Sequence, residues 1–306
     1  MTVAGAFLFA RNLNSDNLSE ANTSCDLESA GDLMSGISHK MLVMTDIHMT
    51  KPGRLIIGLD PFERFRACLE HAALTHPEAD GLILMGDLTH HGITEQYNRL
   101  KEALLDLPWP VHLMLGNHDY RAKFVTAFPE APLDPNGFVQ QTLEIGDYRL
   151  VLLDTHAPER TPYHGGYLCE DRLEWLSCQL SGVDTGKAIV FMHHPPFVTG
   201  FPGMDAIGLE GLNSYCEIVS NTPSVAMTLS GHVHRTIWGV AGGKPAAVLK
   251  SPCHQMPMEL TDEDSSLSVD EPGAYGVLLM GESGVVLLTE DVGLPPKPTL
   301  NEADSV

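Results

Sequence analysis

Residues 40–48, KMLVMTDIH, decide the fold of this chain. Their apolar first half suits a strand that is buried on both faces, and an aspartate and a histidine follow it. The same order, an apolar run and then polar groups, returns in residues 81–87, GLILMGD, and 111–117, VHLMLGN. Residues 61–76 and 94–107 lie between these runs and have the spacing of amphipathic helices. The alternation predicts βαβ units on a partly parallel sheet.

The second half of the chain predicts a second sheet. Residues 138–154, FVQQTLEIGDYRLVLLD, have the pattern of a hairpin that turns at Gly146 and Asp147. A helix, two strands that end in histidines, and two strand pairs are then expected over residues 170–180, 188–194, 224–234, 235–251 and 273–291.

Both ends of the chain have the composition of loops. Residues 12–39 are rich in Ser, Asn, Asp, Glu and Gly, and the last residues place prolines among polar groups. We therefore expect a flexible N-terminal extension over residues 1–39, one domain over residues 40–292 and a disordered tail over residues 293–306.

The charge of the chain limits its partners. It carries 18 Lys and Arg against 40 Asp and Glu, a formal net charge of -22. Such a surface repels polyanions and opposes binding to a nucleic-acid polymer or an anionic membrane. The basic residues are scattered, so a phosphate-bearing ligand would need another positive centre, and a bound metal cation is the natural one.

The cysteines and the N-terminus bear on the compartment. The six cysteines form no CxxC pair, so we expect most of them to be reduced. The first 14 residues contain a short apolar run with no Lys or Arg before it, and no apolar run reaches membrane-spanning length. We expect a cytoplasmic protein. The alternative is an N-terminal signal peptide.

Polar side chains follow five of the predicted strands. Because ligands collect at the carboxyl ends of strands in open α/β sheets, these segments predict a single site at one rim. Each motif alone is weak, since a histidine after a strand is usually a satisfied structural group. The residues are Asp46, His48, Asp87, Asn117, His118, His193, His194, His232 and His234.

The expected ligand set indicates two metal ions. Two carboxylates, one amide and four imidazoles without a thiolate suit Mn, Fe, Zn or Co. Seven ligands exceed what one ion takes, whereas two ions about 3.5 to 4 Å apart would use all seven around one bridging carboxylate. We assign the bridge to Asp87. Asn117 would bind an ion without adding negative charge, and His118 would remain free to act on the substrate.

The motifs DIH, GDLTHHG, GNHD, MHHPP and GHVH resemble the ordered motifs of the calcineurin-like metallophosphoesterases, over roughly residues 41–255. The resemblance implies an α/β fold, a four-layer sandwich of two mixed β-sheets flanked by helices. It also implies metal ligands at Asp46, His48, Asp87, Asn117, His232, His234 and one histidine of the pair after VFM. We take His193, which directly follows the strand, with His194 as the second choice.

Comparison of the motifs also indicates which subfamily the sequence resembles. GDLTHHG departs from the GDxVDRG pattern of protein Ser/Thr phosphatases, and His90 stands where purple acid phosphatases have a tyrosine. MHHPPF, GMDAIGLEGLN and SPCHQMP resemble class III cyclic nucleotide phosphodiesterases and bacterial glycerophosphodiesterases. The resemblance implies that His254 lies near the substrate pocket. The alternative is a turn histidine between Pro252 and Pro257.

The position of His90 departs from some of these relatives. They carry there a carboxylate that orients the catalytic histidine, whereas the imidazole of His90 is expected to hydrogen-bond His118 beside the substrate.

The resemblance implies metal-assisted hydrolysis of a small phosphodiester. His118 is expected to protonate the leaving alkoxide. Two alternatives remain: a phosphomonoesterase with the same metals, and a binding scaffold that has lost catalysis. We also expect a homo-oligomer, a dimer or larger.

Overall fold

The computed structural model describes residues 36–293. The tail expected over residues 293–306 lies outside these residues from residue 294 onward. Of the expected extension, residues 1–35 also lie outside them, and its last three residues begin the first strand. In the described part, no helix has the length and apolar character needed to cross a lipid bilayer.

The described chain contains thirteen strands and six helices. The strands are β1 (Ile37–Met44), β2 (Gly81–Met85), β3 (Val111–Met114), β4 (Gln141–Ile145), β5 (Tyr148–Leu153), β6 (Gly166–Tyr167), β7 (Ala188–Met192), β8 (Leu209–Glu210), β9 (Val225–Ser230), β10 (Ile237–Ala241), β11 (Lys244–Val248), β12 (Ala274–Gly281) and β13 (Gly284–Asp291). The helices are α1 (Pro61–Thr75), α2 (Thr94–Ala103), α3 (Arg121–Ala127), α4 (Glu170–Leu180), α5 (Pro202–Asp205) and α6 (Leu212–Ser220).

Two mixed sheets form the centre of the fold. The first has the order β13-β12-β1-β2-β3, in which β1, β2 and β3 are parallel. The second has the order β10-β11-β9-β7-β5-β4, with four central parallel strands. The expected hairpin is present as β4 and β5, antiparallel across Gly146 and Asp147.

The layers follow from the period of two in each strand. In β1, Leu42 and Met44 pack with helix residues such as Phe65, while Met41 and Val43 face the second sheet. A further apolar cluster joins the outer face of the second sheet to α4 and α6. The result is helices, sheet, sheet and helices, the four-layer sandwich that the family resemblance implied. Because central strands are covered on both sides, their apolar runs are continuous.

The start of helix α1 is set by a capping aspartate and a proline. The Asp60 side chain accepts a hydrogen bond of 3.0 Å from the Phe62 N–H, and Pro61 occupies the first turn, where its missing N–H has no cost. The second oxygen of Asp60 accepts from Arg99 of α2 at 2.9 Å. Asp60 thus caps α1 and connects it to α2.

Candidate metal centre

The seven predicted ligand side chains come together at the carboxyl ends of β1, β2, β3, β7 and β9. All seven are buried, although every one is polar or charged. Buried polar groups need partners, so each of them requires an explanation. They are Asp46, His48, Asp87, Asn117, His193, His232 and His234.

Backbone strain is concentrated in these residues. Asp46, His48, Asp87, His232 and His234 all have positive φ angles, between 47° and 71°. A residue other than glycine rarely adopts this conformation, and such strain is typical of functional sites. These left-handed residues turn the chain at the ends of β1, β2 and β9, where the ligand side chains converge.

Close packing of the strand ends explains the glycine of the GNHD motif. A Cβ on Gly116 would lie 2.2 Å from Asp87 Oδ1 and 2.3 Å from the Asp87 nitrogen. The chain segments after β2 and β3 can therefore approach only with glycine at this position.

The first group of ligand atoms surrounds Asp46. His234 Nε2 lies 3.3 Å from Asp46 Oδ1 and 3.0 Å from His48 Nε2. The other nitrogen of His234 lies 3.0 Å from the carbonyl oxygen of His254, to which it must donate. In the neutral tautomer, His234 therefore presents a lone pair to the carboxylate and to His48.

The second group surrounds Asn117. Its Oδ1 lies 2.8 Å from His232 Nδ1 and 3.0 Å from His193 Nε2. The remaining nitrogens of these two histidines donate to the carbonyl oxygens of Ile207, at 3.2 Å, and Met85, at 3.1 Å. Neutral imidazoles in these tautomers offer Asn117 Oδ1 only lone pairs.

When the imidazoles are neutral, each group contains hydrogen-bond acceptors that face one another with no proton between them. A bound cation would satisfy these acceptors. Metal-ligating histidines commonly donate their second N–H to a backbone carbonyl, as His193, His232 and His234 do. The donor set, oxygen and imidazole nitrogen without thiolate, suits a first-row transition metal. The residues present therefore fit the metal ions that the sequence implied.

Asp87 lies between the two groups. Its Oδ2 is 3.5 Å from His48 Nε2 and 3.4 Å from His193 Nε2. Its Oδ1 accepts the His118 backbone N–H at 2.8 Å. Although burial raises the pKa of Asp87, the nearby His193 and His118 imidazoles hold it well below its usual range. Asp87 is therefore ionised and within reach of both groups.

The pKa of His193 is shifted by nearby carboxylates. Burial lowers the pKa of His193, but the Asp87 and Asp46 carboxylates outweigh it and raise the pKa to about 9. The carboxylates thus favour a positive charge at this point, which a proton or a metal ion can supply.

The structure distinguishes the two histidines of the MHHPP motif. His194 Nε2 donates to the His164 carbonyl at 3.1 Å, and His194 Nδ1 accepts from the Thr155 hydroxyl at 2.8 Å. Both of its ring nitrogens are therefore bonded to protein. His193 keeps Nε2 directed at Asn117, which favours it over His194 as the ligand.

His118 lies outside both groups, in the cleft beside them. Its Nδ1 donates to the backbone carbonyl of His90 at 2.9 Å, and its ring stacks on that of His90 with centroids 5.3 Å apart. The expected hydrogen bond from the His90 imidazole is therefore wrong. The His90 carbonyl takes its place, because the rings are nearly parallel and the His90 Nδ1 lies 3.1 Å from His48 Nδ1.

The electrostatic contribution of His90 is small. Burial and the nearby His118 lower the pKa of His90 to about 4. At neutral pH its imidazole is uncharged, so it cannot stabilise a positive His118 as a carboxylate would.

His254 also reaches the site. Its ring lies 4.6 Å from that of His234 and 5.3 Å from that of His48, between centroids. Burial and His234 lower the pKa of His254 to about 2, so the imidazole stays neutral. Its Nδ1 is buried without a hydrogen-bond partner among the described residues. His254 is thus a wall residue of the cleft, with one polar atom unused.

An open cleft of about 450 Å³ leads to the two groups. His90, His118 and His254 line it together with five of the predicted ligands, Met204, Ile207 and the serines of residues 265–268. Within residues 36–293, no Lys or Arg lines this cleft. An anionic ligand there would depend on bound cations for its charge balance.

Sequence reasoning missed two residues of the site. His164, in the loop after β5, lines the cleft, with its ring 4.6 Å from that of His118. Asp119, the last residue of GNHD, accepts from the backbone N–H groups of Leu88, Thr89 and Gly116. It ties the loops after β2 and β3 together. The GNHD motif was a sequence signal for Asp119, whereas His164 lies well inside the loop after β5 and not directly after a strand.

Comparisons with known proteins identify a family. The family model described as calcineurin-like phosphoesterase matches residues 39–236. A probable cyclic nucleotide phosphodiesterase from Rhodopseudomonas palustris is 36% identical over 249 residues, which cover 81% of this chain and 90% of the relative. A probable glycerophosphodiester phosphodiesterase from Arcobacter nitrofigilis is 29% identical over 268 residues, 85% of this chain and 96% of that protein.

A solved structure has the same fold. The crystal structure of a dimetal phosphatase from Danio rerio superposes with a TM-score of 0.64 at 14% sequence identity, covering 84% of this chain and all of that one. The match of the family model over most of the two-sheet core, and the 36% identical relative, show that this chain belongs to the calcineurin-like phosphoesterase family.

Proposed function

We propose that this protein is a binuclear-metal-dependent phosphodiesterase that hydrolyses small phosphodiesters such as 3',5'-cyclic nucleotides or glycerophosphodiesters. One observation carries the proposal: the ring nitrogens of His232 and His193 converge on Asn117 Oδ1 at 2.8 and 3.0 Å, beside an ionised Asp87. The printed names of the relatives from R. palustris and A. nitrofigilis support the diester class.

Two ions would share the seven ligands. Asp46, His48 and His234 would hold one, and Asn117, His193 and His232 the other, with Asp87 bridging them. Bound there, the ions would polarise the phosphoryl oxygens and lower the pKa of water from about 15.7 to about 7. The identity of the metals and the oligomeric state stay predictions.

His118 would act on the leaving group. Its Nδ1 proton is committed to the His90 carbonyl, so Nε2 is the nitrogen available to a substrate. A protonated Nε2 within hydrogen-bond reach of the ester oxygen would donate its proton as the P–O bond breaks. His90 and His254, neutral in the cleft wall, would contact the substrate without competing for that proton.

The charge of the cleft favours diesters over monoesters. A phosphodiester carries one negative charge, whereas a monoester carries nearly two at neutral pH. Within the described residues no Lys or Arg lines the cleft, so the ions alone would balance the substrate. The alternative phosphomonoesterase would have to bind its dianion without help from a basic side chain.

A substrate panel tests the proposal. The protein is stripped with a chelator, reloaded with Mn²⁺, Fe²⁺, Zn²⁺ or Co²⁺ in turn, and assayed with cyclic AMP, a glycerophosphodiester and the matching monoesters. We expect kcat/KM for at least one diester to exceed that for its monoester by at least tenfold. The reverse ratio would favour the phosphomonoesterase. Ion binding without turnover of any ester would favour the scaffold.

A further inference from the structure

His164 stands in the cleft on a loop that no motif identified. It follows β5 and precedes β6, and it has a positive φ of 71°. A histidine in this conformation carries backbone strain that the surrounding structure must hold. Its half-buried ring lines the cleft together with Asn117 and His118.

The ring of His164 contacts the predicted ligand Asn117. His164 Nδ1 lies 2.9 Å from Asn117 Nδ2. An amide nitrogen can only donate, so Nδ1 accepts and the proton of the neutral imidazole resides on Nε2. The contact therefore satisfies the end of the Asn117 amide that points away from the predicted metal.

This hydrogen bond selects one of two orientations of the amide. Rotated by 180°, Asn117 would direct its NH₂ group at the lone pairs of His193 and His232. Two N–H donors would then occupy the place of a cation. An acceptor at His164 favours the orientation in which Oδ1 faces those lone pairs, at 3.0 and 2.8 Å.

A second hydrogen-bonded group holds His164 in place. The His164 carbonyl accepts from His194 Nε2 at 3.1 Å, and His194 is itself fixed by the Thr155 hydroxyl. A Cβ on Gly166 would lie 2.5 Å from the His194 ring, so the glycine lets the loop approach. This arrangement also accounts for the second histidine of the MHHPP motif.

We propose that His164 is a positioning residue that orients Asn117 for the second metal ion. The inference rests on the proposed function, because it assumes that Asn117 is a ligand. Loss of a hydrogen-bond partner behind a metal ligand typically weakens metal affinity by about 10 to 100-fold. The effect is expected on one ion only, because among the described residues His164 contacts no member of the group around Asp46.

The test is a calorimetric titration of chelator-stripped protein with MnCl₂. Wild-type protein should bind two ions per chain. In His164→Ala, one dissociation constant should rise by about 10 to 100-fold and the other should stay within about twofold. His164→Asn places an acceptor oxygen near the position of Nδ1 and tolerates positive φ, so it should restore the weaker constant to within about threefold. Leu74→Ala, at an exposed position of α1 outside the cleft, is the control and should bind both ions normally.

Three results would overturn the positioning role while leaving the proposed function intact. They are unchanged affinities in His164→Ala, equal weakening of both ions, and a His164→Asn variant as weak as His164→Ala. A wild-type protein that binds no ion would instead overturn the proposed function, and the two failures are thus distinguishable.

Discussion

His118 donates a hydrogen bond from Nδ1 to the backbone carbonyl of His90, 2.9 Å away. A carbonyl holds this donor whatever the charge of the ring, so only Nε2 exchanges its proton with a ligand in the cleft. The bond therefore gives His118 a defined direction of action, and it makes the role of this residue testable separately from that of its neighbour Asn117.

The effect of His118→Ala should depend on the leaving group. A sugar or glycerol alkoxide needs a proton as it departs, whereas nitrophenolate leaves as a stable anion. We expect the variant to keep both metals, to slow alkyl diesters by about 10² to 10⁴, and to slow nitrophenyl diesters far less. Rate constants across a series of leaving groups, with metal content measured in parallel, check this.

Asn117→Ala is the control for that series. It removes a predicted ligand, so it should weaken metal binding and slow both substrate types together. Equal losses for alkyl and aryl diesters in His118→Ala would contradict the general-acid role and leave His118 as a positioning or electrostatic group.

Gly116→Ala should disrupt the metal centre by displacing the predicted ligand Asp87. The added Cβ would lie 2.2 Å from Asp87 Oδ1, so the carboxylate or the strand end must move. We expect the loss of at least half of the bound metal and destabilisation of about 1 to 3 kcal/mol.

Gly81→Ala, at the start of β2, is the control for this change, because its nearest neighbour is the flexible end of Met41. Metal content by mass spectrometry and urea denaturation give the answer. A Gly116→Ala protein with normal metal content and stability would show that the close approach at this glycine is not required.

His156 should make stability depend on pH. Its Nε2 donates to the Asp119 carbonyl at 3.0 Å, and burial lowers the pKa of His156 to about 4 in spite of Asp154. In the unfolded chain its pKa is about 6.5. Between these values the unfolded state binds one more proton, so the free energy of unfolding falls as the pH falls, by about 3 kcal/mol at most.

His156→Gln keeps an N–H donor but cannot titrate. Urea denaturation of chelator-stripped protein from pH 7 to pH 4 should therefore show a smaller loss of stability in the variant than in the wild type. Parallel curves for the two proteins would rule out this contribution of His156.

Asp87 and Asp46 should differ in how many ions they hold. Asp87 Oδ2 lies 3.5 and 3.4 Å from histidines of the two groups, whereas Asp46 belongs mainly to one. We expect Asp87→Ala to lose both ions and all activity, and Asp46→Ala to lose chiefly one ion. Metal analysis of the two purified variants distinguishes them. Equal metal content would argue against a bridging role.

The strand-end motifs could be predicted because the sheet itself places them. An apolar run that ends at Met44, Met85 or Met192 must bring the next residues to one rim, whatever the loops do. The same reasoning explains the correct prediction of two sheets, since the periods of the strands and the hairpin at Gly146 are local properties of the sequence.

The cleft could not be predicted in the same way. His164 reaches Asn117 through the path of a loop that follows β5, and its position depends on His194 and Gly166. The stacking of His90 on His118 likewise depends on a backbone carbonyl whose direction no side-chain pattern encodes. HGG at residues 164–166 was the available signal, because paired glycines next to a histidine suggest a close approach.

We propose that two ions, held by Asp87 and its neighbours, are required to hydrolyse a phosphodiester. The most direct measurement follows turnover of bis(4-nitrophenyl) phosphate while chelator-stripped protein is titrated with Mn²⁺. We expect negligible turnover without metal and a rise that levels off at two equivalents per chain. Turnover that survives stripping, or that saturates at one equivalent, would contradict it.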